Sequence, residues 1–178
     1  MTDIKLVAHL GCCNEPLPQN IFPQEQWKET RVDIDAECRC DIVADICNMN
    51  MLQDNTFDAV YLSHVLEHFD CRTRYEGMKE WIRIAKPSAF IYFVVPKIDC
   101  KAVMQALQEG DVDKVIYKNE SGIEVTAAQL IYGQFYPSEY EIHRWGYTTK
   151  TLGCFLNQHL SKVQVVEQEF QLCAIGYK

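Results

Sequence analysis

Short apolar runs alternate with polar or amphipathic segments along the whole chain. Apolar runs bounded by turn residues are typical of buried strands, and apolar positions spaced by three or four residues are typical of helices. Strands are predicted at residues 4–10, 30–34, 41–44, 57–62, 89–95, 162–167 and 170–177. Helices are predicted at residues 72–86, 101–108, 126–132 and 148–160. Between the first two strands, Pro16, Pro18 and Pro23 oppose a regular helix.

This alternation predicts an α/β fold with a mainly parallel sheet and helices on both faces. The last two strands are separated only by residues 168–169, which predicts a hairpin and an antiparallel C-terminal edge strand. The length of 178 residues fits a single domain spanning residues 1–178. Residues 99–147 are less regular and end in an aromatic-rich stretch, so we predict an insertion or lid within that domain.

Polar side chains follow two neighbouring predicted strands within residues 41–69. Asp45 follows the third strand, and Ser63, His64, Glu67 and His68 follow the fourth. In a parallel sheet, ligands sit at the carboxyl ends of the strands. We therefore expect these two strands to deliver polar side chains to one crevice.

The first two predicted strands end in residues that suit the same crevice. Gly11 allows a tight turn and close approach of the backbone to a ligand. Asp33 and Asp35 close the second strand, where a carboxylate can accept hydrogen bonds from both hydroxyls of a ribose. A carboxylate at Asp45 is able to accept a hydrogen bond from an exocyclic amine such as that of adenine. The succession of a glycine and two acids at three strand ends indicates a nucleotide-like ligand.

The composition excludes some classes of function. The formal net charge is -8, and the basic residues are scattered among acids. Broad contact with a nucleic-acid backbone needs clustered Lys and Arg, so no nucleic-acid partner is predicted. No apolar stretch approaches the ~20 residues needed to span a bilayer, and the first residues show no secretion signal. We therefore expect a cytoplasmic protein without membrane contact.

The nine cysteines are interpreted as mostly reduced thiols. Cys47, Cys154 and Cys173 lie in apolar runs, where cysteine behaves as a small hydrophobic residue. Cys38 and Cys40, with Cys47, come nearest to a metal cluster, but they lack a standard zinc spacing and a clear fourth ligand. No metal site is predicted.

Five segments, taken in order, resemble the motifs of a known family. LVAHLGCCNEPLP resembles a glycine motif, TRVDIDAECRCDIVADI a ribose-binding acid followed by an adenine-side acid, and DNTFDAVYLSHVLEHF a fourth-strand motif. RIAKPSAFIYFVVP resembles a Lys-Pro-Gly-Gly turn with the fifth strand, and HRWGYTTKTLGCFL the element that opens the last helix. The chain thus looks like a small class I S-adenosylmethionine-dependent methyltransferase of the methyltransferase type 11-like group. This resemblance implies a Rossmann-like sheet and S-adenosyl-L-methionine as cofactor.

The resemblance also implies where the cofactor's amino-acid and ribose ends bind. Gly11, with the backbone of Cys12 and Cys13, would line the amino-acid end of the cofactor. Asp33 would hold the ribose hydroxyls beside Ile34, with Asp35 as the alternative acid.

The remaining implied contacts lie on the other side of the crevice. Asp45 and Ile46 would flank the adenine, while Ser63 and His64 would face the methionine and sulfonium region. Methyl transfer is an in-line displacement, so the main task of the protein is to position the acceptor atom. An oxygen or nitrogen acceptor often needs a base, for which His64, His68 and His143 are the candidates, although each can instead have a packing role. We expect a small-molecule or sugar-like acceptor.

One group of aromatic residues leaves two interpretations open: walls of the acceptor site, or a small core that holds down the insertion. These residues are Tyr132, Phe135, Tyr136, Tyr140, Trp145 and Tyr147.

Two features support an alternative function: Cys13 stands where the family has its second glycine, and the region after the first strand, residues 14–26, is short. Ser88 and Ala89 also depart from the family's Gly-Gly, but they lie in a turn farther from the chemistry. The alternative is a degenerate relative that binds the cofactor or a partner protein without methyltransferase activity. A nicotinamide-dependent oxidoreductase is disfavoured, because such an enzyme has a complete Gly-x-Gly-x-x-Gly motif at the start of a helix. Pro16 and Pro18 oppose a helix at this position.

Overall fold

A computed structural model describes residues 3–119, 122–134 and 139–178. Its strands are β1 (Lys5–Leu10), β2 (Trp27–Asp33), β3 (Ile42–Val43), β4 (Phe57–Ser63), β5 (Ala85–Pro96), β6 (Val115–Lys118), β7 (Glu124–Thr126), β8 (Ser161–Glu167) and β9 (Gln171–Tyr177). Seven of them form one sheet in the order β3-β2-β1-β4-β5-β9-β8. The first five strands are parallel, and β9 runs antiparallel to both β5 and β8. The predicted parallel sheet with an antiparallel C-terminal edge strand is confirmed.

The helices lie where the sequence pattern predicted them. They are α1 (Thr73–Ile84), α2 (Lys101–Glu109), α3 (Ala127–Tyr132) and α4 (Thr149–Leu156). Capping explains their limits: Thr126 and Thr148 each form a capping box at an N-terminus, and Gly110 ends α2 in the left-handed conformation. Two short 3-10 helices are also present, Leu66–His68 after β4 and Glu139–Glu141 before α4.

Two local features were not predicted. Strands β6 and β7 pair as a small antiparallel hairpin within the polar stretch between α2 and α3. Strand β5 begins at Ala85, directly after α1, and includes Pro87. Proline is tolerated there because the pairing with β4 shifts register between Phe57 and Ala59, which leaves residues 86–89 outside the regular ladder.

Alternate residues of β4 show how the two faces of the sheet are covered. Val60 and Leu62 point into the main core, to which α1 contributes Trp81 and α4 contributes Phe155. Ala59 and Tyr61 point to the other face and belong to a second cluster. The two amphipathic helices that pack on the sheet therefore share one face.

The non-helical segment at residues 14–26 covers the second face. Its Leu17 and Phe22 are buried against this face, and the Phe22 ring stacks on Phe90 at 5.8 Å and meets Trp27 edge-on at 5.2 Å. The absence of a helix between β1 and β2 agrees with the prediction from the three prolines. Aromatic packing thus replaces a helix on this side of the sheet.

A third cluster forms within the irregular region after β5. Cys100, Val103 and Ala106 of the α2 region pack against Ala127 and Leu130 of α3. Among the described residues, no helix is both long and apolar enough to cross a membrane.

Candidate functional site

The loop after β1 makes a tight left-handed turn next to the end of β4. Gly11 has φ +63°, and a Cβ at this position would lie 2.5 Å from Cγ2 of Val65. Cys13 has φ 42°, a conformation that costs a non-glycine residue roughly 1–2 kcal/mol. Cys13 therefore keeps the backbone shape that a glycine would adopt, at the position where the family pattern has its second glycine.

Asp33 ties this turn to the end of β2. Its Oδ2 accepts a hydrogen bond of 2.7 Å from the backbone N–H of Cys13, and its Oδ1 accepts one of 3.0 Å from the N–H of Asp35. The Asp33 side chain is buried, whereas Asp35 is exposed and its Oδ1 accepts from the N–H of Glu37. Because an ionised carboxylate has about four acceptor positions, Asp33 retains capacity for two hydroxyl donors.

Arg31 holds the same turn from the side of β2. Its guanidinium donates to the backbone carbonyls of Cys12, Cys13 and Glu15, and to the carboxylate of Glu29. With no helix after β1, these carbonyls lack helical partners, and Arg31 supplies donors in their place. Sequence reasoning missed this residue, because nothing in a single basic residue within a strand marks it as a clamp.

The residues predicted to lie on the adenine side have different environments. Ile34 is 45% exposed at the strand end, where it offers an apolar surface. Asp45 is exposed, and its Oδ1 accepts a hydrogen bond of 2.8 Å from the N–H of Cys47. The Ile46 side chain packs in the main core, and its carbonyl accepts from Nε1 of Trp81. Ile46 thus fixes the position of the segment, whereas Ile34 and Asp45 present side chains to solvent.

Residues at the end of β4 lie next to the turn formed by residues 11–13 after β1. Ser63 is half-buried; burial raises the pKa of Tyr61 overall, although the side chain of Ser63 lowers it. His64 has φ 53° and its N–H donates to the carbonyl of Val94. Its side chain is half exposed, and Nδ1 lies 3.3 Å from Oε1 of Glu67. Burial alone lowers the pKa of His64, but the nearby carboxylate of Glu67 outweighs burial and holds this pKa above its ordinary value.

His68 and His143 meet although 75 positions separate them, with ring centroids 5.0 Å apart. Nδ1 of His68 bonds the carbonyl of Ile142, and Nδ1 of His143 bonds that of Leu130, each at 3.1 Å. A carbonyl only accepts, so both Nδ1 atoms carry a proton, and in the neutral ring Nε2 keeps a lone pair. Burial lowers the pKa of His143.

Glu67 sits between these histidines and was not among the predicted site residues. It is 1% exposed, and neither carboxylate oxygen accepts a hydrogen bond from the described residues. Burial alone raises its pKa, but His64, followed by His68 and His143, holds the pKa of this carboxyl below its ordinary value. Its position between two histidines in HVLEHF was the available signal in the sequence.

The aromatic residues considered as walls of the acceptor site or as a small core do not all have the same environment. Tyr147 is buried in the main core. Tyr132, Tyr140 and Trp145 are exposed, and the guanidinium of Arg74 lies 4.1 Å from the Trp145 ring centroid. Phe135 and Tyr136 fall outside the described residues.

Cys38, Cys40 and Cys47, the three cysteines nearest to a metal cluster in the sequence, divide between two places. All nine cysteines are free thiols. Sγ of Cys38 and Sγ of Cys40 each contact Asp35, whereas Sγ of Cys47 contacts the carbonyl of Thr73. Within the described part of the chain, the single group of three side chains that meets metal-binding geometry lies elsewhere, at Glu67, His68 and His143.

Comparison with known proteins was made at the levels of sequence and fold. The sequence profile of a family described as a methyltransferase domain matches residues 9–93, which contain the end of β1, all of β2 to β4 and α1, and most of β5. No curated protein sequence matches the chain significantly.

Solved structures of methyltransferases share the fold over nearly the whole chain. A protein from Methanosarcina mazei, described among SAM-dependent methyltransferases, is 15% identical with a TM-score of 0.63, and the alignment covers 100% of this chain and 94% of that one. A SAM-dependent methyltransferase from Archaeoglobus fulgidus is 15% identical with a TM-score of 0.65, covering 99% and 87%.

A third structure contains ligands. It is a Burkholderia thailandensis 1,6-didemethyltoxoflavin-N1-methyltransferase with bound 1,6-didemethyltoxoflavin and S-adenosylhomocysteine. It is 11% identical with a TM-score of 0.59, covering 98% of this chain and 71% of that one. The profile match to residues 9–93, the strand order and these structures together show that the chain has the fold of class I S-adenosylmethionine-dependent methyltransferases.

Proposed function

We propose that the protein transfers a methyl group from S-adenosylmethionine to a small-molecule acceptor held between the end of β4 and residues 99–147. The observation that carries the proposal is the junction of three strand ends. There, the turn from Gly11 to Cys13 touches Val65 after β4 and donates to Asp33 of β2.

The residues at this junction fit the cofactor. At position 11 a Cβ would collide with Val65, so glycine lets this turn pack tightly against the end of β4, where the cofactor is proposed to bind. The Asp33 carboxylate has two acceptor positions left for vicinal ribose hydroxyls. Ile34 offers an exposed apolar surface and Asp45 an exposed carboxylate on the adenine side.

The chain contributes mainly positioning. S-adenosylmethionine, when bound, supplies an electrophilic methyl group. Holding an acceptor atom in line with that group can contribute about 7–11 kcal/mol at best. The half-exposed His64 follows Ser63, and its Nδ1 lies 3.3 Å from Oε1 of Glu67, so Nε2 is the ring nitrogen that we assign to an acceptor's proton. The side chain of Gln171 also interacts with this ring. We assign His64 this role, with Glu67 as the positioning residue.

Residues 99–147 are proposed as a cover for the acceptor. Their last part is tied directly to the turn after β4, because the N–H groups of Arg144 and Trp145 donate to the carbonyl of Glu67 at 2.8 and 3.0 Å. The exposed rings of Tyr132 and Trp145 lie in this region. The Burkholderia thailandensis structure with a bound small molecule supports an acceptor of this class. The net charge of -8 opposes a nucleic acid in this role, and nine free thiols fit the reducing cytoplasm.

Calorimetric titration with S-adenosylmethionine and S-adenosylhomocysteine tests the cofactor site. We expect binding of one equivalent of each. Absence of heat, together with no thermal stabilisation at millimolar cofactor, would overturn the proposal. Formation of S-adenosylhomocysteine in the presence of a library of small alcohols, amines and sugars tests the acceptor class. Binding without turnover on any acceptor would favour the alternative of a cofactor-binding relative without activity.

A further inference from the structure

Three side chains beside the proposed acceptor region have the composition of a metal site. Glu67, His68 and His143 each place one potential ligand atom within 4.8 Å of the others. Ligand atoms around one zinc ion lie roughly 3–3.5 Å apart, given bonds of about 2.0–2.2 Å. Shifts of about 1 Å in three side chains therefore suffice to close this group around an ion.

The carboxylate of Glu67 is the strongest indication of a ligand. It is 1% exposed, yet both of its oxygens lack a hydrogen bond from any described residue. A buried carboxylate left without donors costs several kcal/mol in general, so such a group calls for a partner. His64 approaches Oε1 at 3.3 Å without making a hydrogen bond, and the group formed with His68 and His143 lies beside it.

The histidines are already oriented as ligands. Nδ1–H of each ring donates to a backbone carbonyl, Ile142 for His68 and Leu130 for His143. Metal-ligating histidines usually donate their second ring nitrogen in this way, which fixes the tautomer and raises the basicity of the other nitrogen. In the neutral rings, Nε2 is thereby left with a lone pair.

The two chain segments that carry the ligands are fastened to each other. The carbonyl of Glu67 accepts from the N–H groups of Arg144 and Trp145, on the residues that directly follow His143. The N–H of His143 in turn donates to the carbonyl of Tyr132. These backbone bonds, with the bond from His68 to Ile142, hold the group before any ion arrives.

We propose that Glu67, His68 and His143 bind a divalent first-row transition cation such as Zn²⁺. Two imidazoles and one carboxylate suit such ions better than Mg²⁺ or Ca²⁺, which prefer oxygen ligands. Three protein ligands leave at least one coordination position open, as in catalytic rather than structural zinc sites. This departs from the sequence-based expectation of no metal site, because His143 is distant in sequence from the other two ligands.

The open coordination position would allow the bound cation to take part in catalysis, an inference that rests on the proposed methyl transfer. The turn that carries Glu67 and His68 follows Ser63 and His64, beside the region assigned to the acceptor. A cation there binds an acceptor oxygen and lowers the pKa of a hydroxyl, which makes the oxygen a better nucleophile near neutral pH. The substrate class inferred is a small molecule with a hydroxyl or enol oxygen.

Binding of Co²⁺ and Zn²⁺ to the full chain tests the site without any need for turnover. We expect one equivalent of Zn²⁺ by calorimetry, and a Co²⁺ spectrum with d–d bands but without a thiolate charge-transfer band. That band would report binding at the free cysteines instead and would overturn the assignment. Glu67→Gln and His143→Gln should each weaken Zn²⁺ binding about tenfold or more, while His159→Gln, a histidine outside the group, should not.

A second measurement separates a metal ligand from a structural residue. Glu67→Gln removes both a buried charge and its contact of 3.3 Å with His64, so the melting temperature of the metal-free variant is measured as its own baseline. Against that baseline, the variant should lose the rise in melting temperature produced by Zn²⁺. Equal stabilisation of the wild type and Glu67→Gln by Zn²⁺ would end the proposal. Binding of S-adenosylhomocysteine is measured in parallel. If it persists while Zn²⁺ fails to bind, this inference alone fails; if it is absent, the proposed function itself fails.

Discussion

The backbone N–H of Cys13 donates a hydrogen bond of 2.7 Å to Oδ2 of Asp33, joining the turn after β1 to the end of β2. This bond connects two features that were separate in the sequence: the altered glycine motif and the acid assigned to the ribose. The carboxylate both stabilises the strained turn and faces the site. Replacing it therefore affects the shape of the loop and the contact with the cofactor together.

Asp33→Ala should weaken the affinity for S-adenosylhomocysteine by about tenfold or more, because hydrogen bonds to a charged group contribute about 1.5–3 kcal/mol. The dissociation constant from calorimetry provides the measurement. Asp35→Ala is the matched control, since Asp35 lies two residues away but is exposed. A larger loss in Asp35→Ala than in Asp33→Ala would move the ribose role to Asp35.

Gly11→Ala should destabilise the protein and weaken cofactor binding. The added Cβ would lie 2.5 Å from Cγ2 of Val65, and φ of +63° adds a strain of about 1–2 kcal/mol. Gly110→Ala is the control, because Gly110 has φ +73° but nothing within 4 Å of the added Cβ. Urea denaturation should show a larger loss for Gly11→Ala, and the added change Val65→Ala should restore part of it. Equal losses at both glycines would show that the contact with Val65 is unimportant.

Ser88→Gly and Cys13→Gly should raise the free energy of unfolding by up to about 1 kcal/mol each, because both residues hold a left-handed conformation. Their φ angles are 68° and 42°. Ala36→Gly, at an exposed turn position that lacks a positive φ, should instead destabilise. Midpoints of chemical denaturation compare the three variants. The same sign of change at all three positions would contradict the assigned strain.

Glu80→Gln should lower the free energy of unfolding by about 1.5–3 kcal/mol at neutral pH. Its carboxylate accepts two hydrogen bonds from Arg83, at 2.8 and 2.9 Å, and one of 2.9 Å from the N–H of Met49. The exposed pair Arg72–Glu76 provides the control, and Glu76→Gln should change stability by less than about 0.5 kcal/mol.

The stabilisation by Glu80 should depend on pH in a defined direction. The hydrogen bonds from Arg83, its largest influence, hold the pKa of Glu80 below the ordinary value. A carboxyl with a lowered pKa in the folded state stabilises above its unfolded pKa of about 4.3 and loses that effect as pH falls through the folded value. The difference in unfolding free energy between wild type and Glu80→Gln should therefore be full at pH 7 and shrink below pH ~4. A difference that grows towards acid would contradict this assignment.

The sequence by itself determined most elements of the fold. Buried strands such as β4 and β9 and helices such as α1 have strong local periodicity, and the caps at Thr126, Thr148 and Gly110 set their limits. The β6–β7 hairpin was missed because its strands are short and polar, so local signals are weak. Gly11, Asp33 and Asp45 could be predicted to lie at one edge of the sheet, because a parallel sheet brings the carboxyl ends of its strands together.

Only the tertiary structure decided which of these residues meet. A turn conformation made Cys13 equivalent to a glycine, and a long-range backbone contact made Arg31 a clamp on that turn. Glu67 was visible in the sequence, but its burial without donors and its approach to His143 depend on how residues 139–147 pack against the turn after β4. Burial and long-range proximity arise from packing of the whole chain, whereas periodicity and capping act over a few residues. The sequence therefore indicated the cofactor, and the folded chain brought together the group that we propose for the acceptor.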